Sequence, residues 1–563
     1  MEKNNGKRIR TLIVFAAAVI MVAVMAVMFL IVRYTPTKNK MSGYSYFDID
    51  KDTDKVLVII DGQNYPDTGM YIDDRLYIPQ SFIENNVNVR FYYDREAQSL
   101  IYTDPSHVYT FASGSNEYYD DRNESYKTDY PVSQNVEGEC YVAWEYVADY
   151  TNCTYEYGDE PKRVNITLSH DAVSCVTAEK KVSVRYRGGI KSPVLEVVKK
   201  GTRLEFLDDL DDWIQVTTPT GITGYVKKSE VSDIFEFVQE DTFSDNYNAN
   251  LKSGKVTMAW FQIGGAGGNA YVDNYLANTS GINVISPTWY SITDTDGTMT
   301  SYASKDFVNK MHSRGIDVWV LVDDFDTNVD YAQLYSSKKA RTRMINTLIS
   351  DAAQYGYDGI NLDLENVKST FAKDFLQFVR ELSVECNRAG LVLSTDNYKP
   401  EVYNTCYNLK EQAVFVDYVI VMAYDEHHAG SDAGSVASLP FVKEAVEDTV
   451  KLVPKEQVIV GIPFYTRVWT TSGGQTTSKA VSMQTAIDQL NSDGQVALWN
   501  DDCAQYVASY SVGSSTRQIW FEEEKSLEAK LKVIQENNVA GVAGWKLGLE
   551  KSTVWPVISQ YNK

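Results

Sequence analysis

The stretch YDGINLDLE (357–365) decides the fold. In an extended strand successive side chains point to opposite faces, so Asn361, Asp363 and Glu365 share one face and Asp358 takes the other. Same-face neighbours lie about 6.5–7 Å apart, which gathers Asp363 and Glu365 into one small site. An inward-facing ionised carboxylate costs on the order of several kcal/mol, so two of them on such a strand point to chemistry rather than stability. Close acids also raise one another's pKa, often enough for one to hold a proton near neutrality. This is the arrangement of a general acid with an orienting partner.

Working outward, further β-rich runs alternate with helical patterns. The strands are VTMAWFQI (256–263), INVISPTWY (282–290), DVWVLVDDF (317–325), LVLSTDNY (391–398), VDYVIVMAYD (416–425), VIVGIPFYTRVW (458–469) and VAGWKLG (542–548). Amphipathic stretches such as 339–356 and 373–390 lie between them. Near-continuous apolar strands alternating with helices indicate a parallel sheet covered on both faces. Eight such units predict an α/β fold of the closed (β/α)8 TIM barrel type, in which the carboxyl ends of the strands carry the active face. Polar residues mark those ends: Asp323–Asp324, Asp363–Glu365, Asp396–Tyr398, Tyr424–Asp425 and Trp545.

On these residues the stretch 253–560 resembles the family 18 glycoside hydrolases, which include chitinases and bacterial cell-wall N-acetylglucosaminidases. Their strand-four pattern is D-G-x-D-x-D-x-E; Asp358, Gly359, Asp363 and Glu365 match it, and Asn361 replaces the middle Asp. Met422-Ala-Tyr424-Asp425 matches strand six and Trp545 strand eight. The wall- and spore-associated members of low-GC Gram-positive bacteria look most similar. The resemblance implies that Glu365 protonates the glycosidic oxygen while the substrate's own 2-acetamido oxygen attacks the anomeric carbon, with retention. It implies further that Asp363 orients the acetamido N–H and balances developing charge, and that Tyr424 donates to the acetamido oxygen. Asp425 would bind a sugar hydroxyl and Trp545 would form the floor of the cleft. Asn361, Tyr290 and Tyr398 are expected as additional substrate contacts. Since Asn361 can only hydrogen-bond, where Asp could relay a proton or hold charge, an altered pH optimum is expected.

The implied partner is peptidoglycan or another GlcNAc-containing glycan. Chitin oligosaccharides, or glycan binding without catalysis, are the alternative readings. Neither cofactor nor metal is expected. IGGAGGN (263–269) misses the G-x-G-x-x-G spacing of a dinucleotide loop, and Glu426-His427-His428 reads as a polar loop bordering the cleft. The net charge of −23 and pI near 4.7 argue against nucleic acid as a partner.

Thr11 to Val32 carries no charge, and about 20 apolar residues span a bilayer as a helix. Residues 1–33 are therefore expected to form a cytoplasmic tip and uncleaved membrane anchor, with a cleaved signal peptide and a secreted chain as the alternative reading; either places the rest outside the cytoplasm. A polar linker (34–54) follows. RLYIPQSFIENNVNVRFYYD (75–94) then repeats as ECYVAWEYVADYTNCTYEYG (139–158), each copy reading strand, short helix, strand. This α+β domain (55–171) resembles the amino-terminal repeats of copper amine oxidases, which implies a stalk or wall-binding module and no copper chemistry. Cys140 and Cys153 fall opposite the apolar Leu76 and Val89, so a bridge between them is expected, with two buried hydrophobic thiols as the alternative. Short strands over 172–233, with a Lys-Gly turn (200–201), Trp213 and Gly-Tyr-Val (224–226), resemble a small all-β bacterial SH3-type domain.

Overall fold

The computed structural model describes residues 2–51, 54–244, 247 and 249–563. The chain forms two compact units: residues 1–88 with 132–244, and 89–131 with 245–563.

The second unit contains eight parallel strands: β1 (Val256–Phe261), β2 (Val284–Ile292), β3 (Asp317–Asp323), β4 (Gly359–Asp363), β5 (Val392–Tyr398), β6 (Tyr418–Met422), β7 (Val458–Pro463) and β8 (Gly541–Trp545). Each pairs with its chain neighbour, and β1 pairs with both β2 and β8, so the sheet closes into the expected barrel. Large side chains fill the lower interior: Trp319 stacks on Tyr418, with centroids 5.3 Å apart, among Val256, Met258, Leu321 and Ile459. A filled floor leaves the carboxyl-terminal mouth for polar groups. The helices Lys338–Tyr355 and Ala372–Ala389 end at Gly356 and Gly390, with φ of 82° and 67°, a left-handed turn that glycine adopts without steric cost.

Two features of this unit differ from the sequence reading. The run 458–469 is not one strand: β7 stops at Pro463, and Tyr465–Ser472 opens a separate five-stranded antiparallel sheet inserted before β8. Residues 89–131, expected inside the 55–171 module, instead form a five-stranded antiparallel sheet that clusters with the barrel. Polar contacts, several of them buried, explain the reassignment. Arg90 Nε and Arg380 Nε both donate to Glu411 Oε1, at 3.0 and 2.9 Å. Tyr92 donates to Asp374 at 2.7 Å, Gln377 to Thr103 at 3.1 Å, and Arg388 to the Ser106 carbonyl at 2.8 Å. Tyr92, Ile101 and Val108 cover Val384. The inserted sheet thus packs over the polar face of helix Ala372–Ala389 that carries Asp374, Gln377 and Arg388.

In the first unit a seven-stranded sheet carries the internal repeat. Strand Arg75–Pro79 with helix Gln80–Asn86 corresponds to strand Glu139–Ala143 with helix Trp144–Asp149. The two strands pair antiparallel, and the equivalent residues Ile78 and Val142 face each other across the ladder. The third strands diverge: Thr154–Asp159 stays in this sheet, whereas Phe91–Asp94 joins the sheet on the barrel. The expected bridge is absent, as all six cysteines are free. Cys140 packs against the Ser133 hydroxyl and the Cys153 N–H donates to Thr242, so each sulfur is buried in its own surroundings.

The SH3-like module is a seven-stranded antiparallel arrangement around Val176, Val184, Leu204, Val216 and Val226. The expected linker is docked on it. Thr37 N–H donates to the Ile190 carbonyl at 2.8 Å, Lys40 bridges to Val194, and Tyr46 both donates to and accepts from the Thr223 backbone. Ahead of it, helix Glu2–Tyr34 contains an exposed apolar span, Gly6–Tyr34, consistent with a single-pass membrane anchor.

Removing one partner from a buried ion pair costs about 3–5 kcal/mol. Burial raises the Glu411 carboxyl, but Arg380 and Arg90 more than offset this and hold it below its ordinary range. Glu411→Ala is therefore expected to lower the urea midpoint by a corresponding amount, with the 89–131 sheet becoming the first site of limited proteolysis.

Candidate active site

Asp358 faces outward, as the alternation requires, and accepts from the Val318 N–H and from His312 Nε2, each at 2.8 Å. Asn361 and Asp363 face into the barrel and are buried. Glu365 lies two residues beyond the end of β4, partly exposed at the mouth. Its backbone is clamped by Asp324, which follows β3. The Asp324 carboxylate accepts the Glu365 N–H at 2.8 Å and the Asn366 N–H at 2.9 Å, and its carbonyl accepts Asn366 Nδ2 at 2.8 Å. Burial pushes Asp324 up to about 6, although these donors favour its charged form.

Burial, then the charges of Asp396 and Glu365, hold the Asp363 carboxyl well above the usual carboxylate range. Burial also raises Glu365, while hydrogen bonds from the Tyr398 phenol and from Asp363 pull it part of the way back. A bond between two carboxyls needs a proton on one of them. No cationic side chain is among the hydrogen-bond or ion-pair partners of Asp363, Glu365 or Asp396 in the described residues, so protons are the means of neutralising the cluster.

Asn361 is the hub beneath this pair. Its oxygen accepts from Trp260 Nε1 at 3.0 Å and Ser286 Oγ at 3.1 Å. Its nitrogen donates to Ser394 Oγ at 3.1 Å and Asp396 Oδ1 at 2.8 Å. With no exposed surface and all four bonds made, Asn361 is a positioning group and not the substrate contact expected from the sequence. Burial, with the nearby charge of Glu365, pushes Asp396 up to about 8, even though the Asn361 amide favours its ionised form.

Tyr424, at the end of β6, sits edge-on to Trp260 and to Tyr465, each with centroids 6.4 Å away. Burial and then the charges of Asp363 and Asp396 keep its phenol protonated, as a hydrogen-bond donor must be. Asp425 adopts a φ of 58° and accepts from the Tyr465 hydroxyl at 2.5 Å, so the sheet inserted before β8 fixes its orientation. The Trp545 ring meets Trp260 at 5.6 Å and is partly exposed.

Tyr290 is a second correction. It is fully buried and donates to Asp351, on the helix packed outside the barrel, at 2.8 Å. A register shift between Thr288 and Tyr290 resets the alternation of β2 and turns this ring away from the mouth. Tyr398 does reach the site, where its bond is to Glu365. Trp260, Ser286, Ser394 and Tyr465 carried no sequence signal of their own. Asp324 and Asp396 were visible only as polar strand ends, although Asp396 shares the inward parity of Ser394.

The glycine-rich run after β1 forms a short turn in which Asn269 accepts from Trp289 Nε1 and donates to the Tyr302 carbonyl, both at 2.8 Å. Glu426 accepts from the backbone and hydroxyl of Ser438, and His427 and His428 bond to the Asp432 and Ala429 carbonyls. These residues shape loops beside the mouth.

Comparison with known proteins agrees with this geometry. A bacterial SH3 domain model matches residues 180–232. A cortical fragment-lytic enzyme of Bacillus subtilis (strain 168) is 29% identical over 245 residues, 41% of this chain and 56% of that protein. A candidate sporulation-specific glycosylase of the same organism is 28% identical over 240 residues, 40% of this chain and 55% of that protein. The chain thus spans a little over half the length of these two relatives. The solved C-terminal domain of a candidate chitinase from Desulfitobacterium hafniense DCB-2 shares the fold, with a TM-score of 0.51 and 22% identity over 55% of this chain and all of that one. The model of the glycosyl hydrolases family 18 matches residues 222–550, more than half of the chain, and the chain belongs to that family.

Proposed function

We propose that this chain is a membrane-anchored retaining glycosidase that hydrolyses N-acetylglucosaminyl bonds of peptidoglycan by substrate-assisted catalysis. The observation that carries the reading is the pair at the mouth of the barrel: Glu365, partly exposed and raised by burial, beside the buried Asp363, whose carboxyl is held well above its usual range by burial and by the charges of Asp396 and Glu365. Glu365 delivers its proton to the glycosidic oxygen as the bond breaks, then takes one from the water that completes the reaction. The acetamido oxygen of the substrate supplies the nucleophile. Asp363 accepts the acetamido N–H and offsets the charge that develops on the ring. Tyr424 is the donor to the acetamido oxygen. Trp545 offers an apolar surface to the sugar, and Asp425, held by Tyr465, accepts from a sugar hydroxyl.

Peptidoglycan is favoured as substrate by the cortical fragment-lytic relatives, by the bacterial SH3 domain and by the apolar amino-terminal helix. Chitin oligosaccharides are the second substrate reading, supported by relatives named as chitinases.

The full chain in detergent, incubated with muropeptides and with chitin oligosaccharides, is expected to release new N-acetylglucosamine reducing ends from the former, identified by mass analysis. Glu365→Gln is expected to lower kcat by about 10²–10⁴-fold, the typical contribution of a general acid. Cleavage of chitin alone would overturn the substrate assignment, and binding without turnover would overturn the catalytic one. Tyr398→Phe removes a bond that favours ionised Glu365, so the acid keeps its proton to higher pH. The alkaline limb of the pH–rate profile is expected to move upward.

A further inference from the structure

We propose that Asp396, on β5, is the proton partner of Asp363, taking the place of the acidic residue that β4 lacks at Asn361. The inference rests on the catalytic reading above and adds a positioning residue to it, since Asp396 acts through Asp363 and touches no substrate atom.

The orientation of the Asn361 amide is the first argument. Indole N–H can only donate, so the atom of Asn361 facing Trp260 Nε1 at 3.0 Å is the oxygen. The NH2 group therefore faces β5, and Asp396 Oδ1 is its acceptor at 2.8 Å. An Asp at 361 would still satisfy Trp260 and Ser286 but would set oxygen against oxygen at Asp396. Amide and carboxylate form a matched pair whose acidic member stands on β5.

Register supplies the second argument. Asn361 pairs with Ser394 and Leu362 with Thr395. One rung further along, Asp363 and Asp396 stand side by side on adjacent strands, whose spacing is about 4.8 Å, and both are inward by alternation. The remaining oxygens complete the case. Asp363 Oδ1 and Asp396 Oδ2 are buried, and neither has a hydrogen-bond partner among the described residues. Buried polar atoms are rarely left so, and a proton held between the two carboxyls satisfies both.

The transfer balances without a co-reactant. At rest the proton is on Asp363. When Asp363 becomes the acceptor for the acetamido N–H, its O–H bond breaks and an O–H bond forms on Asp396 Oδ2. The negative charge moves to Asp363, and the net charge of the pair is unchanged. The other titratable groups that act on this pair are Glu365 beyond the end of β4, Tyr398 on β5, Tyr424 from β6, and Asp323 and Asp324 from β3. All are acidic or phenolic, so none competes as a cation.

The test compares wild type, Asp396→Asn, and the exchange Asn361→Asp/Asp396→Asn, with kcat and KM followed across pH on the glycan that wild type cleaves. Asp396→Asn is expected to lower kcat by about tenfold or more at nearly constant KM. It should also move the alkaline limb to lower pH, because Asp363 loses the acidic neighbour that holds its proton. The exchange returns a carboxyl to the hub with the hydrogen bond reversed, and is expected to recover most of the lost kcat and the limb. Wild-type kcat and an unmoved limb in Asp396→Asn would overturn the proposal, as would an exchange variant that folds but recovers nothing. A readout independent of turnover is infrared spectroscopy of the wild-type chain. A protonated-carboxyl band at neutral pH that Asp396→Asn diminishes supports the shared proton, and its absence, or a band unchanged by that substitution, overturns the proposal. A wild type that shows this band but cleaves no glycan would instead count against the catalytic reading.

Discussion

Three carboxyl groups, Asp363, Glu365 and Asp396, are gathered in one barrel with no cation among their hydrogen-bond or ion-pair partners in the described residues. Coulomb repulsion and desolvation both oppose ionising all of them, so the cluster must retain protons. That constraint turns a surplus of acid into a general acid. It also sets the demands on the surroundings: neutral hydrogen-bond donors in place of cations, and a backbone held firmly enough that the acids cannot turn out to solvent.

The donors come from strands remote in sequence. Trp260 on β1 and Ser286 on β2 orient the Asn361 amide on β4, and this amide in turn donates to Ser394 and Asp396 on β5. One neutral side chain ties four strands together just below the mouth. Networks of this kind are effective only when every member is satisfied, and Asn361 makes all four of its bonds. Asp324 performs the corresponding task on the backbone, clamping Glu365 and Asn366 from β3.

The same logic extends to the outer surface of the barrel. The polar stripe on helix Ala372–Ala389 meets the sheet of residues 89–131 through Arg90, Arg380 and Glu411, with Tyr92 on Asp374. The helix forms part of the layer against which β5 packs, so covering it with satisfied polar contacts supports the wall that carries Asp396. The insertion after β7 plays a comparable part on the other side, where Tyr465 fixes Asp425.

Local sequence determined the barrel, the strand ends that carry polar groups and the parity that sends Asp363 and Glu365 inward. Each follows from alternation along a single strand or from the apolar rhythm of strand and helix. Tertiary structure alone decided what depends on partners distant in the chain. Parity was legible for β4, but a register shift in β2 turned Tyr290 outward. The residue type at 361 was legible, but its role as a buried hub came from the donors Trp260 and Ser286, 101 and 75 positions upstream. The internal repeat was legible as strand and helix, but its third strands joined different sheets because pairing depends on the neighbours that folding brings alongside. A single strand specifies which way its side chains point; only the closed barrel specifies what they meet there.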